Sequence, residues 1–476
     1  MQDSKSAAAD KGKNPSPAVW PAISDIQVEA IGRETGEPGW MVDARRDALA
    51  EYRRMTPPSS ADEDWRCGGL LQYPFSELNL EALTVSGKPK RPPAAWVKPV
   101  AGGKAEGFLA MEDRAVRTAS LDDDLRRTGV VFAPLSLAAK EHPDLVRSLL
   151  GSAVPAADGR FAALASVICD TGFLLHAPKG ARIEKPLHAL LWSSGEGLRA
   201  WRLLVNVEQG AEVDLLVECA SPERKEGAAR LNITELIVHR DARLRFFLTQ
   251  AWGGNVVRIA HERAIVHRNG RLEWGGAHFG ASSSKSFSAL DLKEEGASAE
   301  WFGLRILDGG QTGDSATRVG HLAPKTRCDF LDKSVLSGEA RSFWRGMLRV
   351  EAGAPGADGY QGSRTLMLSD RAQAESVPGL EILSDDVRCS HGVSIGELDP
   401  GELFYARSRG IPLEESRNLL IGGFLETVLG RIGQEDIRRR VHLAVAAKME
   451  TMEGGILQSG NTGRKETEPD GMGATG

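Results

Sequence analysis

The sequence predicts a mainly β protein whose central part is a stack of short strands, with a β-solenoid favoured over a β-sandwich or barrel. Three observations carry this. From about Asp170 onward, runs with two-residue alternation recur behind small or polar turn residues, among them GAEVDLLVEC (210 to 219), DARLRFFLTQ (241 to 250), NGRLEWGGAHF (269 to 279), GASAEWFGLRI (296 to 306), EARSFWRGMLRV (339 to 350) and PGLEILSDDVRC (378 to 389). No helical pattern separates them. An Ala or Gly near the start of these runs returns at intervals of roughly thirty residues, the size that marks stacked coils of strands. A sandwich or barrel also accommodates many short strands, but the loose period and the small, apolar turn residues favour the solenoid.

The flanks read differently. Residues 1 to 24 are rich in Ala, Lys, Ser and Pro without periodicity, and residues 454 to 476 are similar, so disordered tails are expected at both ends. Residues 25 to 169 are expected to form a helical or mixed domain. Within it VDARRDALAEYRRM (42 to 55) is made of helix formers and stops before Pro57 and Pro58. A Pro- and Lys-rich stretch (86 to 100) reads as an exposed linker or loop, and LSLAAKEHPDLVRSLLG (135 to 151) as one or two short helices. The solenoid is expected over 170 to 400. Residues 401 to 453 then turn helical, with Leu413, Ser416, Leu420, Phe424 and Val428 at three- and four-residue steps. Gly422 and Gly423 inside that helix each cost roughly 1 kcal/mol relative to alanine, so close packing against a partner or the solenoid end is expected there, the plain alternative being a small helical cap packed on its own chain.

With 476 residues, 41% hydrophobic, the chain has ample material for a core, and its net charge of −6 offers no basic field for a phosphate backbone. Neither a nucleic-acid partner nor a membrane is expected. No signal-peptide core or membrane-length apolar run is present, so a cytoplasmic protein is expected. The five cysteines, Cys67, Cys169, Cys219, Cys328 and Cys389, are odd in number and form no C-x-x-C pair. That argues against a disulfide framework or a self-contained cysteine metal site, and most of them are expected to be buried thiols. The phosphate-cradling G-x-x-x-x-G-K-[ST], H-E-x-x-H, G-x-S-x-G and dinucleotide motifs are absent, so any ATP use belongs to another chain. Scattered acids such as Asp214 and Glu273 read as solvated solenoid surface.

One stretch stands apart: DDVRCSHGVSIGEL, residues 385 to 398. On a strand, Cys389 and His391 project to the same side while Ser390 points opposite. Thiolate and imidazole together suit iron or zinc. On spacing alone, a core cysteine beside a histidine satisfied by its neighbours is the favoured reading. Two donors do not complete a four-coordinate site, so a metal held here would take further ligands from elsewhere, most simply from a second subunit.

The block from 357 to 411 resembles the SufB/SufD family, the scaffold subunits of the SUF iron–sulfur cluster assembly machinery. The resemblance rests on P-x-L-E-I at Pro378 to Ile382, D-V-[KR]-C-S-H-G at Asp386 to Gly392, and L-F-Y-x-x-S-R-G-I at Leu403 to Ile411. EPGWMVDARRDAL (37 to 49), DWRCGG (64 to 69) and DTGFLLHAPKGARIEKPLH (170 to 188) extend it upstream. The C-S-H-G form, and the lack of a cysteine in GSRTLMLSD (362 to 370), are similar to the SufD branch. GAPGADGYQG (353 to 362) departs from the family's usual wording, and the tails and the segment near 90 make the chain longer than many SufD proteins.

The resemblance implies a right-handed parallel β-helix core, a mixed N-terminal domain and a C-terminal helical domain. It further implies a non-catalytic scaffold that pairs through the β-helix with a SufB-like subunit and docks a SufC-like ATPase on the C-terminal helices; a homodimer in isolation is compatible with it. His391 is then the iron-handling residue at the subunit interface, with Cys389 and Glu381 as secondary candidates. Phe404, Tyr405, Arg409, Leu420 and Phe424 are the candidate partner-facing residues. Iron or an Fe-S cluster would be held transiently, shared with the partner, and none permanently by this chain alone. The rival readings are a β-helix enzyme acting on carbohydrate and a purely structural SufD-like partner.

Overall fold

The computed structural model describes residues 20–73, 75, 105–223 and 227–452. The segment at 86 to 100, residues 1–19 and 454–476 of the expected tails, and residue 453 of the expected helical domain lie outside the described residues. Residues 20 to 24 are described: Trp20 lies 4.9 Å from Phe161, and Ser24 caps the first helix.

The N-terminal part opens with α1 (Asp25–Thr35) and α2 (Gly39–Arg54). A capping box starts α1: the Gln27 backbone N–H donates to Ser24 Oγ at 3.3 Å and the Ser24 N–H to Gln27 Oε1 at 2.8 Å. Two strands follow that the sequence did not announce, β1 (Gly107–Glu112) and β2 (Ala115–Leu121), paired antiparallel. Then come α3 (Asp123–Arg127), β3 (Val131–Pro134), α4 (Leu135–Glu141), α5 (Pro143–Leu149) and α6 (Arg160–Ile168).

From β4 (Cys169–Ala177) the chain winds into a solenoid of about eight coils in parallel sheets. Even-numbered strands build one sheet: β4, β6 (Gly197–Val207), β8 (Ala228–Val238), β10 (Val256–Val266), β12 (Ser283–Leu292), β14 (Thr312–His321), β16 (Arg341–Val350) and β18 (Gln373–Ile382). Odd-numbered strands build the other: β5 (Leu187–Trp192), β7 (Glu212–Ala220), β9 (Arg243–Ala251), β11 (Arg271–His278), β13 (Ser298–Leu307), β15 (Arg327–Leu336), β17 (Ala357–Met367) and β19 (Val387–Glu397). Register makes the period visible, since Arg271 lies beside Ser298, Ser298 beside Arg327, Arg327 beside Asp358 and Asp358 beside Arg388.

The recurring small residues have a local cause. One corner of successive coils needs a residue in the left-handed region, supplied by Gly210 (φ 70°), Asp241 (56°), Asn269 (52°), Gly296 (74°), Lys325 (55°) and Gly356 (73°). Asp241 and Asn269 tolerate that conformation because their short polar side chains bond locally, here Asn269 Nδ2 to Asp241 Oδ1 at 3.0 Å. Inside, Trp274 and Trp301 sit on neighbouring strands at matched register and stack at 4.5 Å with planes 7° apart. Phe330 and Trp344 continue the aromatic column. Such a stack adds about 0.5–1.5 kcal/mol beyond area burial.

Each sheet buries its outer face differently. α6 covers the even sheet through Phe161, Leu164 and Ile168 against Leu198, Leu231 and Ile259, and α2 packs on α6. The odd sheet is covered by α8 (Leu413–Leu429) and α9 (Glu435–Thr451), which follow the short α7 (Pro400–Ser408). Ile421, Leu425, Val428 and Val441 meet Phe302, Leu304 and Leu331 there.

The buried face of α8 is rotated from the expected stripe. Ser416, Ile421, Leu425, Val428 and Leu429 are buried, whereas Leu413 is exposed and Leu420 half-buried. Gly422 and Gly423 are exposed, with nothing within 4 Å of the point where either Cβ would lie, so the solenoid is not what packs there. Asp214 and Glu273 are also not solvated surface. They flank Arg245, at 3.2 and 3.7 Å, beneath the turn that brings Gly433 between α8 and α9.

Candidate functional site

The run from 378 to 389 is two strands, not one. β18 ends at Ile382, the chain turns through 383 to 386, and β19 starts at Val387. These strands form the last coil, and each has a neighbour on one side only, β16 and β17 respectively. One row of backbone groups on each is therefore left unpaired. Apolar side chains stand out around this end: Val377, Ile382, Leu383, Val393 and Ile395 are all exposed.

Alternation along β19 places Cys389 and His391 on the same face, over Gly359 and Gln361 of β17. Cys389 is half-buried against Leu348, Val350, Ala354 and Ala357, so this face looks into the solenoid. Burial pushes its thiol pKa up, against a lowering hydrogen bond from the Gly359 backbone. His391, one step further along, is exposed because no coil follows, and no hydrogen bond or ion pair engages its ring among the described residues.

Glu381 is not brought to them. Leu380 packs toward the interior cluster with Cys389, so its neighbour Glu381 faces outward, where Arg349 Nη1 holds it at 3.1 Å. Among the described residues no three His, Cys, Asp or Glu side chains converge as a metal cage. Cys389 and His391 thus make an incomplete donor set of one thiol and one imidazole at an open end. The remaining cysteines split as Cys169, Cys219 and Cys328, buried with thiols raised by burial, and half-buried Cys67.

The five candidate partner-facing residues separate into two groups. On α7, which Asp399 caps by accepting from the Gly401 and Glu402 N–H groups, Phe404 is 74% exposed and Tyr405 60%. Arg409 Nη2 donates to the Tyr405 hydroxyl at 3.0 Å and its guanidinium lies 5.1 Å from that ring. Leu420 and Phe424 are on α8, where Leu420 is half-buried and Phe424 is held by the solenoid. Lys333 Nζ lies 4.1 Å from the Phe424 ring and donates to its carbonyl at 2.6 Å. Sequence reasoning missed Leu419, 59% exposed, which shares the uncovered part of α8 with Gly422 and Gly423. The glycine pair was its available signal.

These features define a β-solenoid with an unpaired terminal coil and a helical appendage carrying exposed aromatic and small residues. The family model for the SUF system FeS cluster assembly SufBD core domain matches residues 191–424, and that for the SufBD protein N-terminal region matches 33–189. An iron-sulfur cluster assembly SufBD family protein of Staphylococcus haemolyticus is 28% identical over 421 residues, covering 85% of this chain and 88% of the relative. Relatives of the same description from Staphylococcus epidermidis and Staphylococcus aureus match to the same extent. The chain belongs to the SufB/SufD family of the SUF iron–sulfur cluster assembly system. No helix among the described residues is long and apolar enough to cross a membrane.

Proposed function

We propose that this chain is a SufD-like scaffold subunit, working in the cytoplasm, that pairs through its open solenoid end with a SufB-like subunit and carries a SufC-like ATPase on its C-terminal helices. The C-S-H-G form of residues 389 to 392 and the absence of cysteine from 362 to 370 support the branch. Iron is the substrate: His391 offers one ring nitrogen, Cys389 a thiolate, and the partner the remaining ligands. Glu381 serves only as an outer group through its pair with Arg349.

The observation that carries this reading is the combination, on one coil, of unpaired strand edges, exposed apolar residues and an incomplete donor set. Such an edge pairs favourably with another strand. Phe404, Tyr405 and Leu419, with the uncovered Gly422 and Gly423, supply a surface where a partner's backbone can approach α8 closely. ATP-driven movement of the docked subunits would bias the interface between open and closed states.

Anaerobic co-expression with SufB-like and SufC-like subunits tests the proposal, with iron and sulfide counted for the wild type and for His391→Ala. An intact complex that loses iron and sulfide only in the variant is the expected result. An intact complex with unchanged iron and sulfide would assign the chain a purely structural role.

A further inference from the structure

His321, at the end of β14, is fully buried, 0% exposed, yet one of its ring nitrogens has no partner. Its Nδ1 lies 2.9 Å from Thr326 Oγ1, and the Thr326 hydroxyl donates to the Ala323 carbonyl at 3.0 Å. A threonine hydroxyl has one proton. With that proton on Ala323, the hydroxyl accepts from His321, so Nδ1 carries the hydrogen and Nε2 is left with a bare lone pair. Burial also lowers the His321 pKa, to about 4, so the ring is neutral at pH 7.

That lone pair has a direction. The point where a Cβ of Gly359 would lie is 3.0 Å from His321 Nε2 and 3.4 Å from Cys389 Sγ. His321, Gly359 and Cys389 lie on three successive coils; Gly359 itself puts no side chain between the outer two, while Leu348, on β16 of that same middle coil, reaches into the space and must turn its methyl aside for a cation to bind. Only a Leu348 methyl, Cδ1 at 2.6 Å, lies nearer that point. A buried acceptor without a donor is unfavourable in the fold, so the bare Nε2 is a group that a bound cation would satisfy.

We infer that His321 and Cys389 form a buried site for a thiophilic divalent cation, with His321 Nε2 the imidazole ligand and Cys389 Sγ the thiolate, behind the exposed His391. This rests on the reading of the last coil as the iron-handling end, and it deepens that reading by giving the cation a position inside the solenoid. Metal–nitrogen and metal–sulfur bonds of about 2.1 and 2.3 Å require the two donors to draw together over Gly359. Cys389 can make that movement, since its strand has no neighbour beyond. As the metal–sulfur bond forms, the thiol proton leaves to water. The Thr326 hydrogen bond fixes the ring so that Nε2 stays the ligating nitrogen.

The test uses the full, tag-free chain titrated anaerobically with Co2+, followed by the thiolate-to-cobalt absorption band and by X-ray absorption of the bound metal. Cys389→Ser identifies the band. In His391→Ala, a variant of an exposed residue, the cobalt shell should still contain one sulfur and one imidazole. His321→Gln should weaken cobalt binding by at least about tenfold, the loss that even an outer partner of a metal ligand carries. A shell without imidazole in His391→Ala, unchanged affinity in His321→Gln, or no thiolate band in the wild type each overturns the inference. Should His321→Gln fail to fold, the His391→Ala spectrum decides alone. The co-expression experiment judges the scaffold reading independently, because it counts iron in the complex, whatever this chain binds alone.

Discussion

Arg440 of α9 reaches into the odd sheet and grips Glu218 of β7, Nη2 to Oε2 at 3.0 Å, while His188 of β5 holds the same oxygen from the other side at 2.8 Å. Burial pushes the Glu218 carboxyl up, but His188 and Arg440 outweigh it and hold its pKa below the ordinary carboxylate range. The last helix is thereby tied to the second coil.

Replacing Arg440 by Met leaves that carboxylate with one partner in a buried setting. The expected loss is ~3 kcal/mol, the low end for breaking a buried pair, because Arg440 keeps some solvent contact. Urea denaturation measures it. The sign with pH follows from the lowered pKa: the Glu218 contribution is present above the unfolded carboxylate range and is lost as pH falls through the folded value. The difference between wild type and Arg440→Met should therefore shrink on acidification below about pH 4.5, and a constant difference would contradict the assignment.

Lys333 gives the same sign in a more alkaline window, for a different reason. Burial first, then repulsion from Arg364 and Arg431, lowers its pKa to about 8. A lysine whose folded pKa lies below its unfolded value makes the unfolded state bind more protons between the two, so stability rises with pH in that interval. Wild-type stability relative to Lys333→Met should climb between pH 8 and roughly 10.5. Parallel pH profiles for the two proteins would remove Lys333 as the cause.

Within the aromatic column, Trp301→Ala opens a cavity between Trp274 and Phe330. Its expected cost is about 3–5 kcal/mol in chemical denaturation, the range for deleting a large buried aromatic. A loss under 1 kcal/mol would mean that the column collapses to fill the gap.

At the open end, Val393→Lys and Ile395→Lys alter exposed positions and should change stability by less than about 0.5 kcal/mol. On an edge strand, added lysines oppose pairing with another chain. Size-exclusion chromatography of the co-expressed subunits should show the partner lost while this chain remains folded. Retention of the partner would place the interface elsewhere.

Leu419→Arg makes the corresponding test on α8. The fold should survive, since the side chain is already mostly in solvent, and the ATPase subunit should no longer co-purify. Undiminished co-purification would leave the exposed glycine pair without a docking role.

Where one interaction dominates, the sequence was legible. The coil period shows because each corner needs a left-handed residue, so Gly210, Asp241, Asn269 and Gly296 punctuate the text at the spacing of the coils. The pairing of Cys389 and His391 on one face follows from alternation alone. β1 was hidden because GFLAME is buried at every position, so it carries no alternation, and its partner β2 is exposed almost throughout. The buried face of α8 was misjudged because Lys333 and the odd sheet, remote in sequence, decide which side turns inward. Glu381, a secondary candidate through the family resemblance, pairs with Arg349 on the outward side of β18, a placement that depends on a strand remote in sequence. His321 carried no local signal, since its significance depends on a glycine in the next coil and a cysteine in the one after.

The two ends of the solenoid are unequal. The first coil is finished by β2, turned antiparallel, interrupted by a bulge at Ala110/Met111 and carrying Arg117, and by β3 of four residues. The last coil has no such finish. A molecule with one blunted and one adhesive end can be joined once, head to head, and then has no adhesive end left to offer. Edge association here terminates at a pair and cannot propagate into a filament, so the exposed strand edges do not become a template for open-ended aggregation.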